Sequence, residues 1–308
     1  VPTAPPPQPR SVGTVELRVG CAMWAYRAWQ GRFLPERLSR DEQLPAYATW
    51  CNAVEGNTTF YGLPSPATVA AWAEQSPPWF RFVFKVPRTI THERRLRQVD
   101  DETRRFLDLL APLGERAETI SVQLPPSFGP GDLGALATFV RRFHVLDPGR
   151  HRLAVEVRHR AFFEECSVAR RTLRRVLTDE GADWITFDST TLFASPPVSE
   201  AEREAWQQKP RLPVHREALS DRPVVRFMGR DDVAATVAGW QPWIPVVARW
   251  LLEGRVPTVF VHTPDNVDAP QLARLFHHQV RTAVPGVAPL PSPAAAPAPA
   301  DAVQETLF

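Results

Sequence analysis

At 308 residues, 44% of them hydrophobic and 23% charged, the chain is long enough for one large α/β domain or two ordinary ones around a sizeable core. A net charge of +2 and a pI near 8.6 are too mild to argue for extensive nucleic-acid binding by charge alone. The cysteines Cys21, Cys51 and Cys166 form no CxxC pair, which argues against a disulfide framework or a zinc site and for a reducing cytoplasm. No apolar run approaches the roughly 18 residues that cross a membrane.

Val1 to Gly13 has proline at positions 2, 5, 6, 7 and 9, which predicts a disordered leader over 1–13 rather than a secretory signal. From there a unit repeats. Short β-rich runs lie at Val15–Gly20, Asn52–Glu55, Arg81–Val86, Thr119–Gln123, Leu153–Val157, Trp184–Phe187, Val224–Phe227 and Thr258–His262. Helical patterns fall between most of them, at Asp41–Trp50, Pro66–Glu74, Asp101–Leu110, Leu133–Arg142, Val168–Glu180, Trp243–Leu252 and Pro270–Val280. Strands alternating with helices every 30 to 40 residues or so are βα units. Eight of them predict a single (β/α)8 TIM-type barrel over 14–284. An open doubly wound sheet is the other arrangement such units allow, but no GxGxxG opens either half.

The interval 189–222 is longer than an ordinary βα loop, and Ser199–Gln208 within it reads as helical. It is either a cover over the top of the barrel or a helix of the outer ring. Residues 285–308 read as a flexible tail, because Pro285 to Ala300 is nearly all Pro, Ala, Gly, Val, Leu and Ser.

Several ordered motifs together carry a resemblance. Gly20-Cys21-Ala22-Met23-Trp24 with Trp29 and Gly31, Val54 to Tyr61, Phe84 to His92, Gln123 to Phe128 and Val155 to His159 resemble the domain-of-unknown-function-72 family, also called YecE-like. The match runs from about Arg18 to Arg281. The resemblance implies a TIM-type barrel and leaves the activity open. The chain departs from the family pattern at Met23 and Gly56, where many relatives have glycine and a bulky residue, and at Met228, where many have histidine.

In such a barrel the residues just past the carboxyl ends of the strands meet in one crevice. Those positions hold Trp24 and Tyr26, Glu55 and Asn57, then Lys85, Arg88 and His92, and Gln123. The later strands add Glu156, Arg158 and His159, Asp188, Arg226 and Arg230, and finally His262, Asp265 and Asn266. Glu55 and Glu156 are candidate acid/base groups, with Lys85 and His92 beside them as catalytic candidates. Lys85, Arg88, Arg158, Arg226 and Arg230 suit a phosphate or carboxylate. Trp24, Tyr26, Phe60 and Tyr61 offer faces for stacking, while Asn57, Gln123, His159, Asp188, His262 and Asn266 supply hydrogen bonds.

Each has a structural alternative: ion pairing for Glu156 with Arg158 or Arg226, helix capping for His92, core packing for Trp24 and Tyr61. No cofactor is expected. A divalent metal held by Glu55, Glu156, Asp188 and His262 has no local motif behind it, and the surrounding cations oppose it. Cys21 ends a strand without a histidine partner placed by the sequence, so a covalent nucleophile is not indicated.

Gln304-Glu305-Thr306-Leu307-Phe308 is similar to the Gln-x-x-Leu-Phe peptide by which bacterial replication and repair proteins dock on the sliding clamp of DNA polymerase. Leu307 and Phe308 would fill an apolar pocket with the Gln304 amide at its rim. Two readings follow. One is an enzyme acting on an anionic small molecule by acid/base chemistry at the barrel mouth. The other is a clamp-tethered accessory protein in DNA maintenance, binding or processing phosphodiesters.

Overall fold

The computed structural model describes residues 15–293. The readings made for the leader and for Gln304, Leu307 and Phe308 lie outside the described residues. The described chain forms one parallel sheet of β1 (Arg18–Cys21), β2 (Ala53–Gly56), β3 (Arg81–Lys85), β4 (Thr119–Gln123), β5 (Arg152–Glu156), β6 (Ala182–Trp184), β7 (Thr186–Asp188), β8 (Val224–Met228) and β9 (Thr258–His262). Its order is β6-β5-β4-β3-β2-β1-β9-β8-β7.

The two edges of that order are neighbours in the chain. Only Ile185 separates β6 from β7, and its amide still donates to Val155. The expected sixth strand is therefore one run of chain that bonds to β5 with its first half and to β8 with its second, so the ring closes as an eight-fold TIM-type barrel. Around it lie α1 (Arg40–Ala48), α2 (Thr58–Tyr61), α3 (Pro66–Gln75), α4 (Asp100–Leu110), α5 (Leu133–Leu146), α6 (Val168–Asp179), α7 (Glu200–Gln208), α8 (Val233–Trp240), α9 (Trp243–Leu252) and α10 (Ala269–Ala283). α8 has no apolar stripe in its Val-Ala-Ala-Thr-Val-Ala-Gly-Trp sequence, and pattern reading passes over it. It is set by the Asp232 side chain, which accepts from the amide of Ala235. None of the helices is long and apolar enough to cross a membrane.

Alternation along the strands sorts the barrel into layers, since side chains two residues apart share a face. Val54, Phe82, Phe84, Ile120, Val122, Val155, Phe227 and Val261 face outward into the main core beneath the helices. Ala53, Val83, Ala154, Ile185, Val224 and Phe260 face inward and form a separate apolar plug. Two residues earlier stand Arg81, Arg152 and Arg222. Two residues later stand Glu55, Lys85, Glu156, Phe187, Arg226 and His262. The inner wall thus runs charged, apolar, charged from bottom to top.

Two close approaches fix glycines. A Cβ on Gly20 would lie 1.9 Å from the Ala53 carbonyl oxygen, and one on Gly56 would lie 2.2 Å from the Phe84 ring. Phe84 stacks between Trp72 and Phe82, and it occupies the space a bulky residue at 56 would need.

The tail does not leave the barrel at residue 285 as its composition predicts. Val15 pairs with Val287, which is buried, and Arg274 donates to the Pro291 carbonyl. Val287 in the core, Leu290 packed against it and a few backbone bonds hold residues 285–291 against the barrel.

Candidate active site

The charged top layer opens into a crevice of about 560 Å³ lined by Asn57, Lys85, Gln123, Arg158, Arg226 and His262, with Phe60, Tyr61, Arg88 and His92 toward its rim. Each of the principal groups ends, or lies just beyond, a different strand, and closure of the ring is what joins them. Arg226 is at the centre. It donates from Nε and Nη2 to Glu55 and from Nη1 to Glu156 at 2.6 Å. Glu156 also accepts from Arg158 Nε at 2.7 Å. Phe187 lies beneath both arginines, 5.3 Å from Arg226 and 5.8 Å from Arg158.

Burial works to raise the pKa values of both glutamates, but neighbouring cations outweigh it. Arg226 and Lys85 hold Glu55 well below the usual carboxylate range, and Arg158, Arg226 and Lys85 bring Glu156 down to about 2. Held ionised in this way, the two carboxylates fix Arg226 and Arg158 in place.

Lys85 is different. Among the described residues its ammonium donates only to Gln123 Oε1, at 3.1 Å, and it sits 5.7 Å over the Phe60 ring. Burial first, then repulsion from Arg226, lowers its pKa to about 8 against the pull of Glu55 and Glu156. It is thereby poised to exchange a proton near neutrality.

Asn57 is oriented without ambiguity. Its Nδ2 meets two acceptors, Ala22 O at 3.0 Å and Glu55 Oε2 at 2.9 Å, which leaves Oδ1 buried and unpartnered. His262 Nε2 is 3.6 Å from Glu55 Oε2 and, like Asn57 Oδ1, has no hydrogen-bond partner among the described residues. Burial keeps the His262 imidazole neutral, lowering its pKa to about 3. His92 sits on a single π-helical turn, Thr89–Glu93, directly after β3. Such turns recur at functional sites. Its Nδ1 pairs with Thr91 Oγ1 at 2.9 Å and its ring packs edge-on against Phe60. Burial, then Arg158, Arg88 and Lys85, lowers its pKa to about 4.

Other candidates stand elsewhere. Arg230 does not enter the crevice: it donates to Glu202 at 2.6 and 3.0 Å and to the carbonyls of Ser195 and Pro196. Asp188 accepts from Trp243 Nε1 at 2.7 Å and from Thr190, which makes it a strut between β7 and α9. His159 accepts from the Ala161 amide and packs beside Phe162. Tyr26 lies edge-on to Trp29. Trp24 packs against Trp72 and Phe82 and lines an adjoining apolar cavity of about 450 Å³. Arg88 is exposed and paired with Glu93, and Tyr61 is exposed at the rim. Asn266 keeps its place at the crevice in a left-handed backbone conformation (φ 55), its carbonyl accepting from Trp29 Nε1.

Of the four residues considered for a metal, Glu55, Glu156 and His262 gather around Arg226, while Asp188 stands apart. Arg226 occupies both glutamates, Trp243 occupies Asp188, and no group of three or more His, Cys, Asp or Glu among the described residues is placed to hold an ion. Cys21 is buried, and burial pushes its thiol up, away from nucleophile chemistry.

One cation was missed by reading strand ends alone. Lys209 immediately follows α7 and lines the crevice with Ala201, Glu204 and Gln208. α7 therefore covers the mouth, fastened at its start by Arg230–Glu202 and along its length by Trp206 Nε1 to Leu192 O, 2.8 Å. Nothing local marks Lys209, because it reaches the site through a long insertion rather than through strand register.

Comparison with known proteins agrees with this architecture. The family model described as "Protein of unknown function DUF72" matches residues 18–298. The chain is 37% identical over 278 residues to UPF0759 protein YecE of Escherichia coli (strain K12), covering 90% of this chain and 97% of that one. Among solved structures it is similar to a DUF72 family protein from Enterococcus faecalis V583, with TM-score 0.61, 19% identity, and 88% and 98% of the two chains covered. It is also similar to one from Thermotoga maritima MSB8, with TM-score 0.59, 20% identity, and 88% and 99% covered. The chain belongs to the DUF72 family.

Proposed function

We propose that the crevice is the active site of a cytoplasmic enzyme acting on an anionic, phosphate- or carboxylate-bearing small molecule by acid/base chemistry. The observation that carries this reading is an imbalance of buried charge. Lys85, Arg158, Arg226 and Lys209 meet only Glu55 and Glu156 beneath the rim. Uncompensated cations in a recess of low dielectric are costly unless an anion joins them. Arg158 has its outer Nη groups to offer an anion, because Nε is the atom given to Glu156.

Lys85, whose pKa of about 8 lies near working conditions, would move the proton. Asn57 Oδ1 and the neutral His262 would hold polar parts of the substrate. The test is native mass spectrometry of the purified protein together with thermal-shift titration of phosphorylated and carboxylated metabolites. Arg158→Ala should abolish the ligand-induced shift while retaining a cooperative unfolding transition. A shift undiminished in Arg158→Ala, or raised equally by cationic ligands, would refute the reading.

A second reading rests on Gln304-Glu305-Thr306-Leu307-Phe308, whose Gln-x-x-Leu-Phe pattern fits docking on a sliding clamp. Retention of the full chain, but not of Leu307→Ala/Phe308→Ala, on immobilised bacterial clamp is the expected result. Equal retention of both would remove it.

A further inference from the structure

Resting on the anion-site reading, we infer that the crevice selects a doubly charged anion, a phosphomonoester, over monoanions, and that Lys209 is the residue that makes the distinction.

The argument counts pairings. Glu55 and Glu156 together satisfy Arg226 on three nitrogens, and Glu156 also satisfies Arg158. Two arginines and two carboxylates therefore cancel. At the rim Arg88 is paired with Glu93, while Glu204 is exposed, accepts from Gln208 and is screened by solvent. What remains is Lys85, buried and bonded only to the neutral Gln123, and Lys209, partly buried and in no ion pair among the described residues. Both line the same cavity.

The two also act on the same groups. Each is influenced by Arg226, Arg158, Glu55 and Glu156, and both repel a proton from His262. They therefore flank one charge cluster from two sides, Lys85 from β3 in the floor and Lys209 from the segment above. Two spare positive charges in one recess match a phosphomonoester, which carries close to two negative charges at neutral pH. A phosphodiester or a lone carboxylate would leave one lysine uncompensated.

Methyl phosphate and dimethyl phosphate test this directly, since they differ by one methyl group and one charge. Titration calorimetry of the full chain at about pH 7.5 should show methyl phosphate binding at least about tenfold tighter than dimethyl phosphate or acetate. Lys209→Met should bring the two phosphates to within about twofold, and Lys209→Arg should restore most of the difference. Among the described residues Lys209 makes no side-chain hydrogen bond, so its truncation strands no partner there, and a urea midpoint close to the parent checks the fold. Equal binding of the two phosphates by the parent overturns the selection while leaving an anion site standing. Discrimination that survives Lys209→Met overturns the assignment to Lys209. Binding of none of the three ligands by the parent overturns both this inference and the reading beneath it.

Discussion

The two ends of the barrel are built from the same residue types and use them in opposite ways. At the bottom, Arg18, Arg152 and Arg222 open their strands or stand next to them and share Glu16, Glu118 and Asp221: Arg18 with Glu16 at 2.7 Å, Arg222 with Glu118 at 2.9 Å, Arg152 with Asp221 at 2.7 Å. Arg81 donates to two carbonyls. Three of these four cations are thus paired with carboxylates, and Arg81, half-buried, is held by carbonyls alone. At the top, four residues further along the same strands, Arg226 has partners, but Lys85 and, above it, Lys209 have none of opposite charge among the described residues. A charge that is fully paired stabilises or at least tolerates its burial, whereas one left over stores a demand for a ligand.

Breaking the most heavily paired group at the top should cost most. Arg226→Met leaves Glu55 and Glu156 buried without their shared cation, and an expected loss of about 3–5 kcal/mol in urea unfolding follows. A loss as small as at the bottom would erase the contrast between the ends.

Removing an unpaired charge should do the reverse. The pKa of Lys85 falls from the ordinary lysine value to about 8 on folding, so its charged form opposes the fold below pH 8. Stability should rise as pH climbs from about 8 to about 10, and Lys85→Met should gain roughly 3 kcal/mol at pH 7 while losing anion binding.

His262 sharpens the comparison on the acid side. Its pKa drops from 6.5 to about 3, so the unfolded chain takes up a proton first. Its contribution is complete above pH 6.5 and is lost as pH falls toward 3. At pH 5 His262→Asn should relieve about 2 kcal/mol of that pH-dependent loss, read from denaturation curves at both pH values. The smallest effect belongs to the bottom rim. Arg152→Ala breaks a half-exposed pair with Asp221 and should cost under about 1 kcal/mol, with anion binding unchanged.

Much of this was legible before any fold was seen. Strand runs buried on both faces read as near-continuous apolar text, so Thr119–Gln123 and Thr258–His262 are recognisable from sequence at the bounds they have in the fold. Glu55, Lys85, Glu156 and Arg226 stood out because a charge at the end of such a run has no structural excuse within its own element. Arg230 carried the same signal, four residues beyond Arg226, yet turns to Glu202 in the insertion. Its partner is 28 residues upstream, beyond the reach of any local pattern.

What the amino-acid order alone determined is the repeating βα unit and the period-two layering that puts polar groups at one rim, because both are properties of individual strands. Which of those groups neutralise one another was decided only by ring closure. Arg226 and Glu55 are 171 residues apart, and Lys209 arrives from a segment that belongs to no strand. Pairing depends on distances across the barrel. Those distances exist only once the sheet has curled round and α7 has settled over its mouth, so the surplus charge that defines the site is a tertiary property.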